Sequence, residues 1–167
     1  MLKRDKKDYF QTLSGIRIYS RSPKIKDIDI SDIAAGLSKI CRFAGQVPYF
    51  YSVAAHSLQV SYWIEQNGGT PKDALAGLLH DASEAYLSDL PSPAKRLCKD
   101  YVKLEEKYQK VIAKRFNLKY PFTMIVHDAD KTVLFNEKLM QIGMKIDMVN
   151  RDVRTLFLNR FKELGGK

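Results

Sequence analysis

The stretch Thr70-Pro71-Lys72-Asp73-Ala74-Leu75-Ala76-Gly77-Leu78-Leu79-His80-Asp81-Ala82-Ser83-Glu84 decides how the chain folds. Threonine, proline and an acid three places on form a helix start: an N-cap hydroxyl, a first-turn residue that needs no N–H, and an N3 carboxylate. The apolar run that follows leads into His80-Asp81. This places a nitrogen and an oxygen ligand side by side, with directions diverging by roughly 100° on a helix. Glu84 follows His80 by four residues and Asp81 by three, so continued helix would put all three on one turn.

Working outward, the same helical reading covers most of the chain. Val53 to Gln66 forms the preceding helix, ended by Asn67-Gly68-Gly69. Upstream, Ile30, Ile33, Ala34, Leu37, Ile40 and Cys41 keep helical spacing, with Asp29 or Ser31 as N-cap. Downstream, Leu90-Pro91-Ser92-Pro93 is a stiff loop. A long helix beginning near Ala94 carries Leu97, Tyr101, Leu104, Tyr108, Val111 and Ile112 on one stripe. Another runs from Ile125 to about Met148, and Val153, Leu156, Phe157 and Phe161 mark the last. Only the start departs from this pattern: Tyr9–Leu13 and Ile16–Tyr19 flank Ser14-Gly15 as a small hairpin. Residues 1–167 read as one all-α domain, with residues 1–26 a hairpin-containing N-terminal extension.

The 167 residues hold 28 Lys and Arg against 19 Asp and Glu, a net charge of +9, and 45% are hydrophobic. Nine Tyr and eight Phe exclude a disordered chain. No apolar run approaches the roughly 20 residues of a membrane span. The charged start has no apolar core of a secretory signal, and Cys41 and Cys98 suggest two buried thiols in a reducing cytosol; a cytoplasmic protein is expected. The charge is uneven. Met1–Lys26 holds eight basic and two acidic residues, and Lys95–Lys119 nine and three. Between Val53 and Pro93, Lys72 is the sole base against Glu65, Asp73, Asp81, Glu84 and Asp89. A basic body around an acidic middle suits a polyanionic ligand beside a cation site, or equally a set of solvated lysine faces.

The three histidines are His56, His80 and His127. A lone buried histidine is commonly satisfied by a carbonyl, but His80-Asp81 with Glu84 forms a cluster rather than a surface stripe. The far end offers His127-Asp128-Ala129-Asp130. Asp128 and Asp130 point to different sides of a helix. Asp130 shares a face with Val133, Leu134 and Glu137, so it is the candidate ligand, and Asp128 reads as an exposed first-turn acid complementing the helix dipole.

His56, then His80-Asp81, then Asp130 resemble the H…HD…D pattern of the HD-domain metal-dependent phosphohydrolases. The likeness extends to the bacterial 5'-deoxynucleotidases (YfbR-like) and their prophage relatives (YfdR-like). It runs through Cys41-Arg42-Phe43, Phe50–Ser57, Leu79–Tyr86 and Asp89-Leu90-Pro91-Ser92-Pro93-Ala94-Lys95, and covers most of the chain. It implies an HD-domain helical bundle in which His56, His80, Asp81 and Asp130 hold one divalent transition metal, Co²⁺, Mn²⁺, Zn²⁺ or Fe²⁺. Further roles implied are proton transfer for Glu84, orientation of the attacking water for Asp89, phosphate contacts for Arg42 and Lys95, and sugar packing for Phe43. Blander roles stand beside these: a helix-end charge for Arg42, core packing for Phe43, a solvated lysine for Lys95. Ala55, Gln46 and His127 depart from residues common in the relatives, which touches substrate choice more than the ion.

The resemblance implies hydrolysis of deoxynucleoside 5'-monophosphates to nucleoside and phosphate. The alternatives are release of triphosphate from a dNTP such as dATP, with an additional Mg²⁺ on that substrate, and a noncatalytic HD domain binding nucleotide or a partner. A nuclease rests on the net charge alone. A homodimer is also implied.

Overall fold

The computed structural model describes residues 8–141 and 152–167, with nothing said of the side chains of residues 140 and 141. A two-stranded antiparallel hairpin opens it, β1 (Tyr9–Gln11) and β2 (Arg17–Tyr19), with Phe10 opposite Ile18. Its turn is tied to the body because Asp32 accepts from the Ser14 amide at 2.8 Å and the Ser14 hydroxyl at 2.6 Å. The rest of the described chain is helical: α1 (Ile30–Leu37), α2 (Val53–Gln66), α3 (Pro71–Leu78), α4 (Glu84–Leu87), α5 (Ser92–Lys95), α6 (Lys99–Arg115), α7 (Met124–Gln141) and α8 (Val153–Glu163).

The expected caps form. Asp29 accepts from the Ser31 amide, and Thr70 and Asp73 make a reciprocal capping box; α2 gains a further cap that the sequence reading did not name, Ser52 accepting from the Ala55 amide. Helix α2 lies at the centre, against α3, α7 and α8, and α1 packs on α4 and α8. One apolar cluster joins Ile33, Leu37, Leu58, Leu78, Tyr108 and Phe157, and a second joins Val60, Ile64, Ala74, Val126 and Val133. Arg160 pins α8 to α2: it is buried, donates to Ser61 Oγ at 3.0 Å and pairs with Glu65 at 3.0 Å. Two glycines permit the closest approaches. A Cβ on Gly36 would lie 2.9 Å from Ala85 of α4, and one on Gly77 2.4 Å from Ile64 of α2.

Several boundaries differ from the sequence expectation. Helix α1 stops at Leu37, because Ile40 and Cys41 give their backbone groups to the segment before α2. The Ile40 carbonyl accepts from the Val53 amide at 3.0 Å, and Cys41 bridges Ser52. Helix α3 stops at Leu78, before His80 rather than at it. The long helix near Ala94 is two pieces, α5 and α6, with Leu97 between them and 86% exposed rather than on the buried stripe. The expected helix from Ile125 is α7, and its expected continuation to Met148 lies outside the described residues. Cys98 is exposed and Cys41 partly so, and both are free, which corrects the expectation of two buried thiols. Among the described residues no helix is long and apolar enough to cross a membrane.

Candidate metal centre

His56 sits in the first turn of α2 and is completely buried. His80 and Asp81 lie in the turn between α3 and α4, and Asp130 in α7. Residues 79–86 descend in successive three-residue turns: Ala82 N–H donates to Leu79 O, Glu84 to Asp81, Ala85 to Ala82 and Tyr86 to Ser83. Side chains three apart in such a turn eclipse one another. This is why Asp81 and Glu84 face one cavity although no single helix carries both.

His56 Nε2 is 3.1 Å from Asp130 Oδ1 and 3.3 Å from His80 Nε2, and His80 Nε2 is 3.6 Å from Asp130 Oδ1. Asp81 Oδ2 lies 3.2 Å from His80 Nε2 and 3.7 Å from His56 Nε2. Ligands held about 2.0–2.2 Å from one ion at tetrahedral to octahedral angles stand roughly 3.0–3.5 Å apart, close to the spacings among His56, His80 and Asp130, while Asp81, the fourth expected ligand, stands beside that group and outside it. The His56, His80 and Asp130 group can hold a metal ion.

The tautomers make the same case. His56 Nδ1 lies 2.7 Å from Glu137 Oε1, and His80 Nδ1 lies 2.7 Å from the Gly77 carbonyl. A proton on each Nδ1 satisfies both acceptors and leaves both Nε2 atoms presenting lone pairs to each other and to two carboxylates. Such an array is stable around a cation and repulsive without one. With only protons to bind, burial opposes charge on His80, but Asp81 and Asp130 outweigh it and raise its pKa well above the ordinary value. Burial likewise works against charge on the two aspartates, and the facing imidazoles hold both far below the usual carboxylate range. The pocket is built for positive charge.

Glu137 is the residue whose role the sequence reading missed. It was placed on the Asp130 face, with no partner named. Fully buried, it accepts from Tyr51 Oη at 2.8 Å, from Arg42 Nε at 3.1 Å and Nη2 at 3.0 Å, and pairs with His56 Nδ1. Burial disfavours its charge, yet the His56 contact and the Arg42 guanidinium hold its carboxyl below the ordinary range. The partners are 81 to 95 residues away in sequence, beyond the reach of any local pattern.

Arg42 is buried on a short 3₁₀ turn, Arg42–Gly45, and spans Glu137 to Asp81, which lies 3.6 Å from Nη1. It is not a mere helix-end charge. Phe43 and Ala44 have left-handed backbones, φ 56° and 52°. Phe43 is half-buried, packs beside Tyr51 and Ala55, and lines the cavity, so packing and pocket roles coincide. Lys95 pairs with Glu105 at 2.7 Å and Glu84 at 3.5 Å, and is therefore not a free solvated lysine.

Arg42, Phe43, Asp81, Glu84, Asp89, Lys95 and Asp130 all line a cavity of about 620 Å³, together with Arg96 and Lys138. A second cavity of about 450 Å³, lined also by His80, shares Asp81, Lys95 and Asp130 with it. Glu84 is buried, and its Oε2 has no hydrogen-bond partner among the described residues. Burial, then Asp81 and Asp89, push its pKa well above the ordinary glutamate value. Burial also raises Asp89, with Arg42 opposing. Asp128 and His127 are exposed, as expected for Asp128.

The chain is 41% identical over 130 residues to the uncharacterized protein YfdR of Escherichia coli, across 78% of this chain and 70% of that one. An uncharacterized protein of Rhodobacter capsulatus is 40% identical over 118 residues, 68% of this chain and 60% of that protein, so the match spans less than two thirds of that relative. Among solved structures, a conserved hypothetical protein from Pyrococcus furiosus aligns with a TM-score of 0.45 and 21% identity, over 82% of this chain and 98% of that one. No protein-family model matches the chain.

Proposed function

The chain belongs to the family of Escherichia coli YfdR, and from that premise we propose that it is an HD-type, divalent-metal-dependent phosphohydrolase acting on deoxynucleoside 5'-monophosphates. The observation that carries the reading is the convergence of two imidazole Nε2 atoms and two carboxylates, Asp81 and Asp130, the carboxylates lining a cavity that Arg42, Lys95 and a buried Glu84 also line. Two nitrogen and two oxygen ligands suit Co²⁺, Mn²⁺, Zn²⁺ or Fe²⁺.

Such an ion, held by His56, His80, Asp81 and Asp130, supplies acidification of a water and charge compensation at phosphorus. The chain's own groups do the rest. Arg42, fixed by Glu137, presents planar donors to phosphate oxygens. Lys95 adds a second cation at the same wall. Asp89, which lines the same cavity, accepts a hydrogen bond from the attacking water and so orients it. Burial, then the neighbouring Asp81 and Asp89, favour the protonated form of Glu84. It can therefore donate that proton to the 5'-oxygen as nucleoside leaves. Phe43 offers a ring face to the sugar.

One observation favours a second reading, removal of triphosphate from a dNTP. Arg96 and Lys138 line the same cavity beyond Arg42 and Lys95, a place for further phosphates. The test is release of phosphate, pyrophosphate or triphosphate from dNMPs, NMPs and dNTPs with each metal. Phosphate from dNMPs that ceases on chelation is expected. Triphosphate release from dNTPs selects the second reading, and no release from any nucleotide with any metal refutes both.

A further inference from the structure

We propose that Tyr101 is a positioning residue for Asp89, acting by holding Ser88 in a backbone conformation that side-chain-bearing residues rarely adopt. Ser88 has φ 70° and ψ 161°. That region belongs almost wholly to glycine, and Ser88 occupies it because both of its backbone polar groups are held. Its N–H donates to the Glu84 carbonyl at 2.7 Å, closing α4. Its carbonyl accepts from Tyr101 Oη on α6 at 2.5 Å.

The second bond matters for the site because ψ of Ser88 orients the peptide plane leading into Asp89. Pro91, two residues further on, fixes its own φ and restricts Leu90 before it. An error at Ser88 is therefore carried into Asp89 instead of being absorbed in the loop. Tyr101 also lies beneath Lys95, whose Nζ is 5.8 Å from the ring centroid. One phenol thus supports two residues of the same cavity, the ring through Lys95 and the hydroxyl through the Asp89 loop. Tyr101 itself is absent from the cavity lining. Its hydroxyl acts through another residue.

The inference rests on the reading that Asp89 works in a hydrolytic site, and Tyr101→Phe tests it by removing the hydroxyl alone. In the metal-loaded full chain, kcat for the best nucleotide should fall about five- to tenfold, the scale of one hydrogen bond, with KM and metal content unchanged. Adding Ser88→Gly to Tyr101→Phe should restore at least half of the lost kcat, because glycine needs no anchor at this φ and ψ. Amide hydrogen exchange gives a readout independent of turnover: the segment 88–92 should exchange about tenfold faster in Tyr101→Phe, and the rest of the chain at the wild-type rate. Unchanged exchange there overturns the proposal, as does an unchanged kcat beside an active wild type. Wild type that releases no phosphate from any nucleotide refutes the functional reading separately, and the exchange comparison still decides whether Tyr101 holds Ser88.

Discussion

Replacing Glu137 by Gln changes one buried atom and should unmake the centre. The carboxylate divides its work: Oε1 takes Tyr51 Oη and His56 Nδ1, while Oε2 takes Arg42 Nε and Nη2. A glutamine offers one carbonyl oxygen and one NH₂: turned one way the NH₂ meets the two Arg42 N–H donors, and turned the other it meets the His56 Nδ1 proton, where only the Tyr51 hydroxyl can swing round to accept. Hydrogen bonds to charged groups contribute about 1.5–3 kcal/mol each, and breaking a buried ion pair by removing one partner costs about 3–5 kcal/mol. Losing two such bonds, with Arg42 left uncompensated, places the expected destabilisation in that same range of about 3–5 kcal/mol. The assay is urea unfolding of chelator-treated wild type and Glu137→Gln, fitted with a shared slope. A second loss accompanies the first. Without its acceptor, His56 is no longer held with Nε2 free, and metal affinity should fall about 10–100-fold, the usual effect of losing a partner behind a ligand. A variant within about 1 kcal/mol of wild type that also binds metal equally well would refute the argument.

Three further outcomes follow from the same geometry. His56→Ala, His80→Ala or Asp130→Ala should lose bound metal by elemental analysis, while Asp128→Ala keeps it; the reverse result for the two aspartates would move the ligand by two residues. Glu84→Gln should retain metal and nucleotide yet turn over about 10²–10⁴ times more slowly. In chelator-treated protein the same substitution tests the raised Glu84 pKa. Below the ordinary value of 4.5 both native and unfolded Glu84 hold a proton; above it the unfolded chain ionises first, so wild type loses stability as pH rises toward the native pKa. The stability advantage of Glu84→Gln should therefore be absent near pH 4 and grow with pH; a pH-independent difference would place Glu84 in a wetter setting.

Local chemistry made much of this legible. The Thr70–Asp73 capping box, the Asp29 cap and the hairpin around Ser14-Gly15 depend on near neighbours, and each formed. Side-chain direction separated Asp130 from the exposed Asp128. What escaped depends on distant partners. Helical spacing through Ile40 and Cys41 lost to backbone pairing with residues 52 and 53. The end of α3 at Leu78 follows a turn geometry that periodicity cannot register, and Glu137 gains its importance from Arg42, Tyr51 and His56, all more than 80 residues earlier.

The two left-handed residues at Phe43 and Ala44 bear on how such a protein would change under selection. Neither is glycine, and the left-handed backbone costs roughly 1 kcal/mol or more at a residue with a side chain. A screen for heat resistance would find Ala44→Gly or Ala44→Asn among its cheapest gains. Phe43 offers the same gain only by surrendering the ring at the cavity wall. Adjacent positions with the same strain would thus diverge, one drifting freely toward glycine and the other held by what its ring touches.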